Sequence, residues 1–364
     1  MVLKIKNITK KFEKFVLGPL NILIDNNITV VIGSTGSGKT TLINLIAGIL
    51  KPDTGQIILD NIDITNQPIE DRKIGYVFQD PLLFPHLNVY NNILFGLGKK
   101  ERKLKERITD IEKIIKELGI GHLLYRNINS LSGGERQKVS LARMLVLNPK
   151  IILLDEPLSH IDPIGRNKLR RELRSILKKQ MVPTLYVTHF EEDIYALADS
   201  IVVLENGKIE ENGTFEEILI NNYNKSISTS QFREKILSIG NYLIGEVINC
   251  ENDLTKFKVG GTILYAIGNF SSKSQIGVIV KREDILLSRE KIITSARNMI
   301  LVKVVDIIYT LNTVDVFLKS NDLSLVSRIT RHAVDDLGIV IGEHIYAIFK
   351  ASAPYLIREE NSLC

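Results

Sequence analysis

Cysteine is scarce in this chain, and tryptophan is missing altogether. The two cysteines, Cys250 and Cys364, form no CxxC pair and no metal-ligand spacing. Two free thiols argue against a disulfide-stapled secreted fold and against a thiolate zinc site, and they fit a reducing, cytoplasmic setting. Long apolar runs are missing too. LINLIAGIL (42–50) is among the longest, well short of the ~20 residues that a membrane-spanning helix requires. The amino terminus, MVLKIKNITKKF, alternates like a strand and has no apolar centre of the signal-peptide kind. Charge of one sign is also lacking: 47 Lys and Arg stand against 42 Asp and Glu, a net of +5 spread along the chain. That balance is too mild to imply a nucleic-acid partner. What remains is a globular composition, 44% apolar and 24% charged, over 364 residues. Such a length suits about two domains.

LKIKNI (3–8), LNILI (20–24), TVVIG (29–33) and KIGYVFQ (73–79) read as strands, and KTTLINLIAGIL (39–50) has the spacing of a buried helix. KPDTGQIILDNIDIT (51–65) offers turns between two short strands. In ERKLKERITDIEKIIKELGI (101–120), Leu104, Ile108, Ile111, Ile115 and Leu118 share one stripe of a helix. IILLD (151–155), TLYVTH (184–189) and SIVVLE (200–205) are short apolar strands with helices between them. The alternation predicts an α/β domain with a parallel sheet over residues 1–225, carrying a helical subdomain at about 88–148. The polar NNYNKSISTSQFR (221–233) ends that pattern, and a linker is expected at 226–239. Residues 240–364 are mostly β-like. There IGVIVKREDILL (276–287) parallels IGEHIYAIFKASAPYLI (341–357), and LIGEVI (243–248) parallels LVKVVDI (301–307). The repeat predicts an all-β domain of two small OB-like barrels.

Chemistry enters with GSTGSGKT, Gly33 to Thr40, which fits GxxxxGK[ST] between a strand and a helix. Gly33, Gly36 and Gly38 let the backbone of Ser34, Thr35 and Ser37 wrap around phosphate oxygens, with Thr41 following in the helix. Lys39 supplies charge for the β- and γ-phosphates, and the Thr40 hydroxyl suits Mg²⁺. In IILLDEP (151–157), Asp155 leaves a buried strand where it can hold the same cation, and Glu156 suits a general base for an attacking water. His189, after the strand TLYVT, is placed to donate to a γ-phosphate. Gln79 could bind Mg²⁺ and the lytic water, and Phe12 could stack on adenine. Taken singly, a lone His is more often structural and an aromatic near an N-terminal strand is usually core, while a surface amide suits either role equally well. A second anion-binding helix start follows at LSGGERQ (131–137), where Ser132, Gly133 and Gly134 place donors at a positive dipole end.

In this order along the chain, GSTGSGKT, Gln79, LSGGERQ, IILLDEP, SHID (159–162) and His189 resemble the ATP-binding-cassette ATPases. The resemblance implies a homodimer associated head to tail. Each ATP would lie between one chain's phosphate loop and the other chain's Leu131, Ser132, Gly133, Gly134, Glu135 and Gln137, with Asp162 at the dimer contact. It implies Lys39, Gln79, Glu156 and His189 as the catalytic set, and Thr40, Gln79 and Asp155 as the Mg²⁺ ligands. Phe12 stands where the adenine-stacking residue is more often Tyr, and SHID replaces the usual Ser-Ala-Leu-Asp. QDPLLFPHLNVYNNILFGL (79–97) resembles the importer segment that receives a helix of a membrane subunit, here through Leu82, Leu83, Phe84 and Pro85. Packing within the domain is the other use of that segment. An importer ATPase would sit at the cytoplasmic face of the membrane, beneath two integral-membrane permease subunits served by an extracytoplasmic binding protein.

TSARNMILVKVVDI (294–307) and SRITRHAVDDLGIVIGEHIYAIFKAS (327–352) resemble the small β-barrel domain of molybdate-binding proteins, the TOBE or Mop type. VIVKREDILLS (278–288) resembles the segment preceding it in molybdate and tungstate importer ATPases. Val302 and Ala333 depart from the usual Gly and Ser. Ser295, Arg297, Lys350 and Ser352 are the groups available to a tetrahedral oxyanion. The resemblance implies import of molybdate or tungstate, with the same oxyanion acting on the second domain to suppress transport. A dimerisation domain with a vestigial pocket is the alternative. Sulfate, polyamine or sugar uptake, a non-transport cassette ATPase, and an oxyanion store or sensor are the rival functions.

Overall fold

The computed structural model describes residues 1–25, 27–98, 105–214, 217–218, 240–310 and 312–360. It consists of two compact units, Met1–Asn221 and Asn222–Cys364. The expected linker lies outside the described residues.

In the first unit, β1 (Leu3–Lys11), β2 (Val16–Ile24), β4 (Thr54–Leu59) and β5 (Ile62–Asp63) form an antiparallel sheet ordered β2-β1-β4-β5. A second sheet takes β3 (Ile28–Ile32), β6 (Ile74–Val77), β7 (Ile151–Asp155), β8 (Thr184–Val187), β9 (Ser200–Glu205) and β10 (Lys208–Thr214) in the order β10-β9-β3-β8-β7-β6. All its pairs are parallel except β10 with β9. Strands β3, β7 and β8 are buried along their whole length, which is why they read as unbroken apolar runs rather than alternating ones.

Helix α1 (Lys39–Ala47) packs Leu42, Ile43, Leu45 and Ile46 into one core with Leu3, Ile24, Val31 and Leu153. It ends three residues before the expected Leu50, because Gly48 takes a left-handed conformation, φ 85°, and closes it. Between β6 and β7 lie α2 (Val89–Ile93), α3 (Lys105–Glu117) and α4 (Gly133–Leu145). On the α3 stripe Ile111 and Ile115 are buried, with Leu118 just beyond it, but Ile108 is exposed; Leu104 lies outside the described residues. Helices α5 (Pro163–Gln180) and α6 (Glu191–Leu197) connect the later parallel strands.

The second unit is all-β, as expected, and its two five-stranded sheets exchange strands. Strands β11 (Asn241–Glu251), β12 (Leu254–Val259), β13 (Thr262–Ile267) and β14 (Gln275–Val280) form one antiparallel run, followed by β15 (Leu286–Ser288). Strands β16 (Asn298–Tyr309), β17 (Val314–Ser320), β18 (Leu323–Ile329) and β19 (His344–Phe349) form the other, with α7 (Arg331–Leu337) before β19 and β20 (Tyr355–Glu360) after it. The sheets are ordered β13-β12-β11-β14-β20 and β15-β19-β16-β17-β18. Each half therefore lends its fifth strand to the other half's sheet. Both sheets also face a single core, in which Leu243, Phe257 and Val278 meet Val302, Val316 and Phe349. The internal repeat is real in its strand order, but the halves are interlocked.

Two buried asparagines mark the exchange. Asn298, which opens β16, accepts from Tyr265 N at 2.7 Å and donates to Tyr265 O at 2.9 Å on β13. Asn241, which opens β11, bonds Val326 N on β18 and donates to Val326 O at 2.9 Å. Each side-chain amide completes a backbone pair belonging to the other half.

Candidate functional site

In open parallel sheets, ligands bind beyond the carboxyl ends of the strands. Gly33 follows β3 there, Gln79 lies two residues past β6, Asp155 ends β7 with Glu156 next, and His189 lies two residues past β8. The phosphate loop between β3 and α1 is shaped by close approach. A Cβ on Gly33 would lie 1.9 Å from Leu204 O, and one on Gly38 would meet Leu17 Cδ1 at 2.6 Å and Phe15 Cζ at 3.0 Å. Lys39 Nζ donates to Gly33 O at 2.9 Å and to Ser34 O at 2.7 Å, which folds the ammonium back over the loop. Helix α1 starts at Gly38 with no side-chain cap and no acid in its first turn. Its positive end is left to an external anion. Ser37 Oγ is buried in the same loop without a hydrogen-bond partner. Thr35 and Thr40 are exposed on this face, with Thr41 half-buried behind them.

Asp155 hydrogen-bonds Thr40, and its pKa is nevertheless raised, by burial first and by the neighbouring Glu156, against the pull of Thr40 and Lys39. A desolvated carboxylate beside a hydroxyl suits a hard cation that keeps most of its oxygen ligands from water or phosphate. Among the described residues no group of three His, Cys, Asp or Glu could hold a metal by itself. That donor set fits Mg²⁺ carried in with a nucleotide.

Glu156 and His189 are brought into direct contact, His189 Nδ1 lying 3.0 Å from Glu156 Oε1. Gln79 is exposed. Its carbonyl lies 3.3 Å from His160 Nδ1, and the Asp80 carboxylate is 3.8 Å from the same atom. The unusual histidine of SHID thus bridges back to the Gln79 segment. Phe12 is 43% exposed and its ring centroid is 6.3 Å from that of Phe15. Phe15 also lies against the phosphate loop, 3.0 Å from where a Cβ on Gly38 would stand, so Phe12 and Phe15 form an aromatic pair beside that loop. Sequence reading named only Phe12.

The second helix start differs from the first. Ser132 caps α4, accepting from Glu135 N at 3.3 Å, while Glu135 accepts from Ser132 N at 2.7 Å. This capping box satisfies two donors internally. The Ser132 N–H pulls the Glu135 pKa down, the largest of its influences. Ser132, Gly133, Gly134 and Glu135 reach the surface, whereas Leu131 and Gln137 are buried. Gln137 therefore packs inside the unit. Asp162 caps α5, accepting from Gly165 N at 2.9 Å. Gly133, Gly134, His160, Ile161 and Asp162 share one cleft of about 380 Å³.

A second groove, about 370 Å³, is lined by Ile49, Tyr76, Leu82, Phe84, Phe95 and Leu147 among others. Asn92, fully buried, holds its rim: it accepts from Phe84 N at 2.8 Å and donates to the Phe84, Leu87 and Asn88 carbonyls. Arg143, near the end of α4, donates to Leu82 O and Pro81 O, each at 3.0 Å.

In the second unit Ser295, Arg297, Lys350 and Ser352 are all exposed. Asn298 pairs with Phe349, so Arg297 and Lys350 project from the same end of the β16–β19 pair. The asparagine of Ser-Ala-Arg-Asn is structural, as its bonds to Tyr265 show.

Comparison with known proteins gives the family. The ABC transporter family model matches residues 22–159, and the TOBE domain model matches 294–353. The molybdate/tungstate import ATP-binding protein of Pyrococcus abyssi is 34% identical over 358 residues, 97% of this chain and 99% of that protein. The spermidine/putrescine import ATP-binding protein of Clostridium acetobutylicum is 35% identical over 80% of this chain and 81% of its own length. A solved nucleotide-free ATP-binding cassette from an ABC transporter matches with TM-score 0.55 at 29% identity, covering 65% of this chain and 98% of that one. The chain belongs to the ABC transporter family. It is an ATP-binding subunit of the importer kind, an ATPase coupled to transport.

Proposed function

We propose that this subunit energises import of molybdate or tungstate, working as a homodimer beneath two membrane permease subunits at the cytoplasmic face. An extracytoplasmic oxyanion-binding protein would deliver the cargo. The observation that carries the cargo class is likeness to a molybdate/tungstate import protein along 97% of the chain, through the second unit as well as the first. Among the described residues no helix is long and apolar enough to cross a membrane, which supports a channel built by partners. The apolar groove at Leu82, Phe84 and Phe95 suits a short helix from such a partner.

In this reading the phosphate-loop amides and Lys39 bind the β- and γ-phosphates; Thr40, Asp155 and Gln79 would hold Mg²⁺, which would neutralise phosphate charge. Glu156 takes a proton from the attacking water, and His189, 3.0 Å from it, orients that carboxylate and faces the γ-phosphate. The partner's Ser132, Gly133 and Gly134 complete the site, so hydrolysis waits for the two chains to close. Arg143 ties α4, which starts at Gly133, to the Leu82 segment, a path by which closure reaches the groove.

The second unit senses cytoplasmic oxyanion through Ser295, Arg297, Lys350 and Ser352. All four are exposed in the single chain, so a second copy is needed to enclose an anion among them. Calorimetry of the full chain with molybdate, tungstate and sulfate tests the cargo. Binding of the first two without sulfate, together with a fall in ATPase rate as either is added, is expected. Absence of all binding would reduce the second unit to a scaffold and return sulfate and polyamine to contention.

A further inference from the structure

Five parallel strands end at the nucleotide face, and four of them deliver residues already placed in the site. The fifth is β9, and its last residue is Glu205. Strand β9 lies directly beside β3, so its carboxyl end arrives at the start of the phosphate loop. The Glu205 carboxylate accepts two hydrogen bonds from one residue there, from Ser34 N at 2.9 Å and from Ser34 Oγ at 2.7 Å. The turn that follows grips the loop again. Gly207 N donates to Ser37 O at 3.1 Å, while Gly207 O accepts from Gly18 N of β2 at 2.7 Å. Ser34 O in turn accepts from Lys39 Nζ at 2.7 Å and from Ser37 N at 3.2 Å.

These bonds run in series from Glu205 through Ser34 to Lys39. A glycine-rich loop has much backbone freedom to lose when it closes on phosphate, and any part fixed beforehand is not charged against binding. A carboxylate near a polyphosphate would ordinarily repel it. Here both carboxylate oxygens are engaged by Ser34, on which the loop's geometry depends. We infer that Glu205 is a positioning residue for the phosphate loop, holding Ser34 so that Lys39 and the loop amides are preset for the polyphosphate of a nucleotide. The inference rests on the reading of Gly33 to Thr40 as the nucleotide site. Glu205 acts through Ser34 and Lys39, so its effect falls on nucleotide binding and spares the chemical step.

The test uses the full chain with Glu205→Ala, Glu205→Gln, Ser34→Ala and the Glu205→Ala/Ser34→Ala pair. ATP affinity is read by calorimetry, hydrolysis at steady state, and fold by thermal midpoint. Glu205→Ala is expected to raise the ATP Kd and KM about tenfold with kcat within about twofold of wild type. Glu205→Gln, nearly isosteric, keeps an acceptor for Ser34 N and should cost only about threefold; it carries the test if the alanine variant is unstable. The double variant should bind ATP no worse than Glu205→Ala, because the two residues act in one chain of bonds. ATP binding by Glu205→Ala within twofold of wild type would overturn the inference. So would a fall in kcat matching the rise in KM, or losses that add in the double variant. Failure of the wild-type chain to bind ATP would remove the nucleotide site and this inference with it.

Discussion

Glu156 adopts a left-handed backbone conformation, φ 45°, that a non-glycine residue holds only under constraint. Three bonds supply it: Glu156 N donates to Val187 O at 2.9 Å, and Glu156 O accepts from Ser159 N at 3.1 Å and Ser159 Oγ at 2.9 Å. The result is a carboxylate turned out of β7 toward His189. His189→Ala should therefore lower kcat by about 100-fold with little change in KM, checked by steady-state ATP hydrolysis. Glu135 makes a second residue-scale test, through pH. Its folded pKa is depressed by the Ser132 N–H first, so its contribution to stability is present above the unfolded carboxylate pKa and fades as pH falls through the lower folded value. Glu135→Ala should cost about 1 kcal/mol near neutral pH in denaturant unfolding. The gap from wild type should shrink as the solution is acidified below the usual carboxylate range.

At the scale of elements, the parallel strands explain what could be read in advance. Gly33 to Thr40, Asp155 with Glu156, and His189 each sit in a local pattern, an apolar strand followed at once by polar or glycine residues, and the structure places each at the carboxyl end of its strand. Glu205 and Phe15 were not legible in the same way. Glu205 matters because β9 lies beside β3, and Phe15 because the β1–β2 turn folds onto Gly38. Both facts depend on strand order, which no short stretch of sequence encodes. The burial of Gln137 was hidden for a related reason: its motif neighbours reach the surface, but its position on α4 turns it into the core. The strand exchange in the second unit was hidden because β15 and β20 have the same pattern whichever sheet they join. Asn298 tests that exchange. Removing its side chain strands Tyr265 N and O, so Asn298→Ala should destabilise the fold by about 2 kcal/mol in denaturant unfolding. Asn298→Asp, which keeps one acceptor but loses the donor, should also destabilise it.

The whole molecule joins an ATP-binding unit of the importer kind to a second unit whose two halves share one core. Its two helix starts are matched to different tasks. Helix α1 is uncapped and open to an anion, while α4 is capped internally and carries an acid in its first turn. An acid at that place weakens binding of a free anion there, so the signature should bind nucleotide only as part of a closed dimer. The most direct test is the turnover and solution mass of Glu156→Gln with saturating Mg-ATP. The account predicts that ATP hydrolysis falls by at least about 100-fold and that the particle doubles in mass with ATP but not with ADP. Hydrolysis near the wild-type rate, or a particle that stays monomeric at saturating ATP, would contradict it.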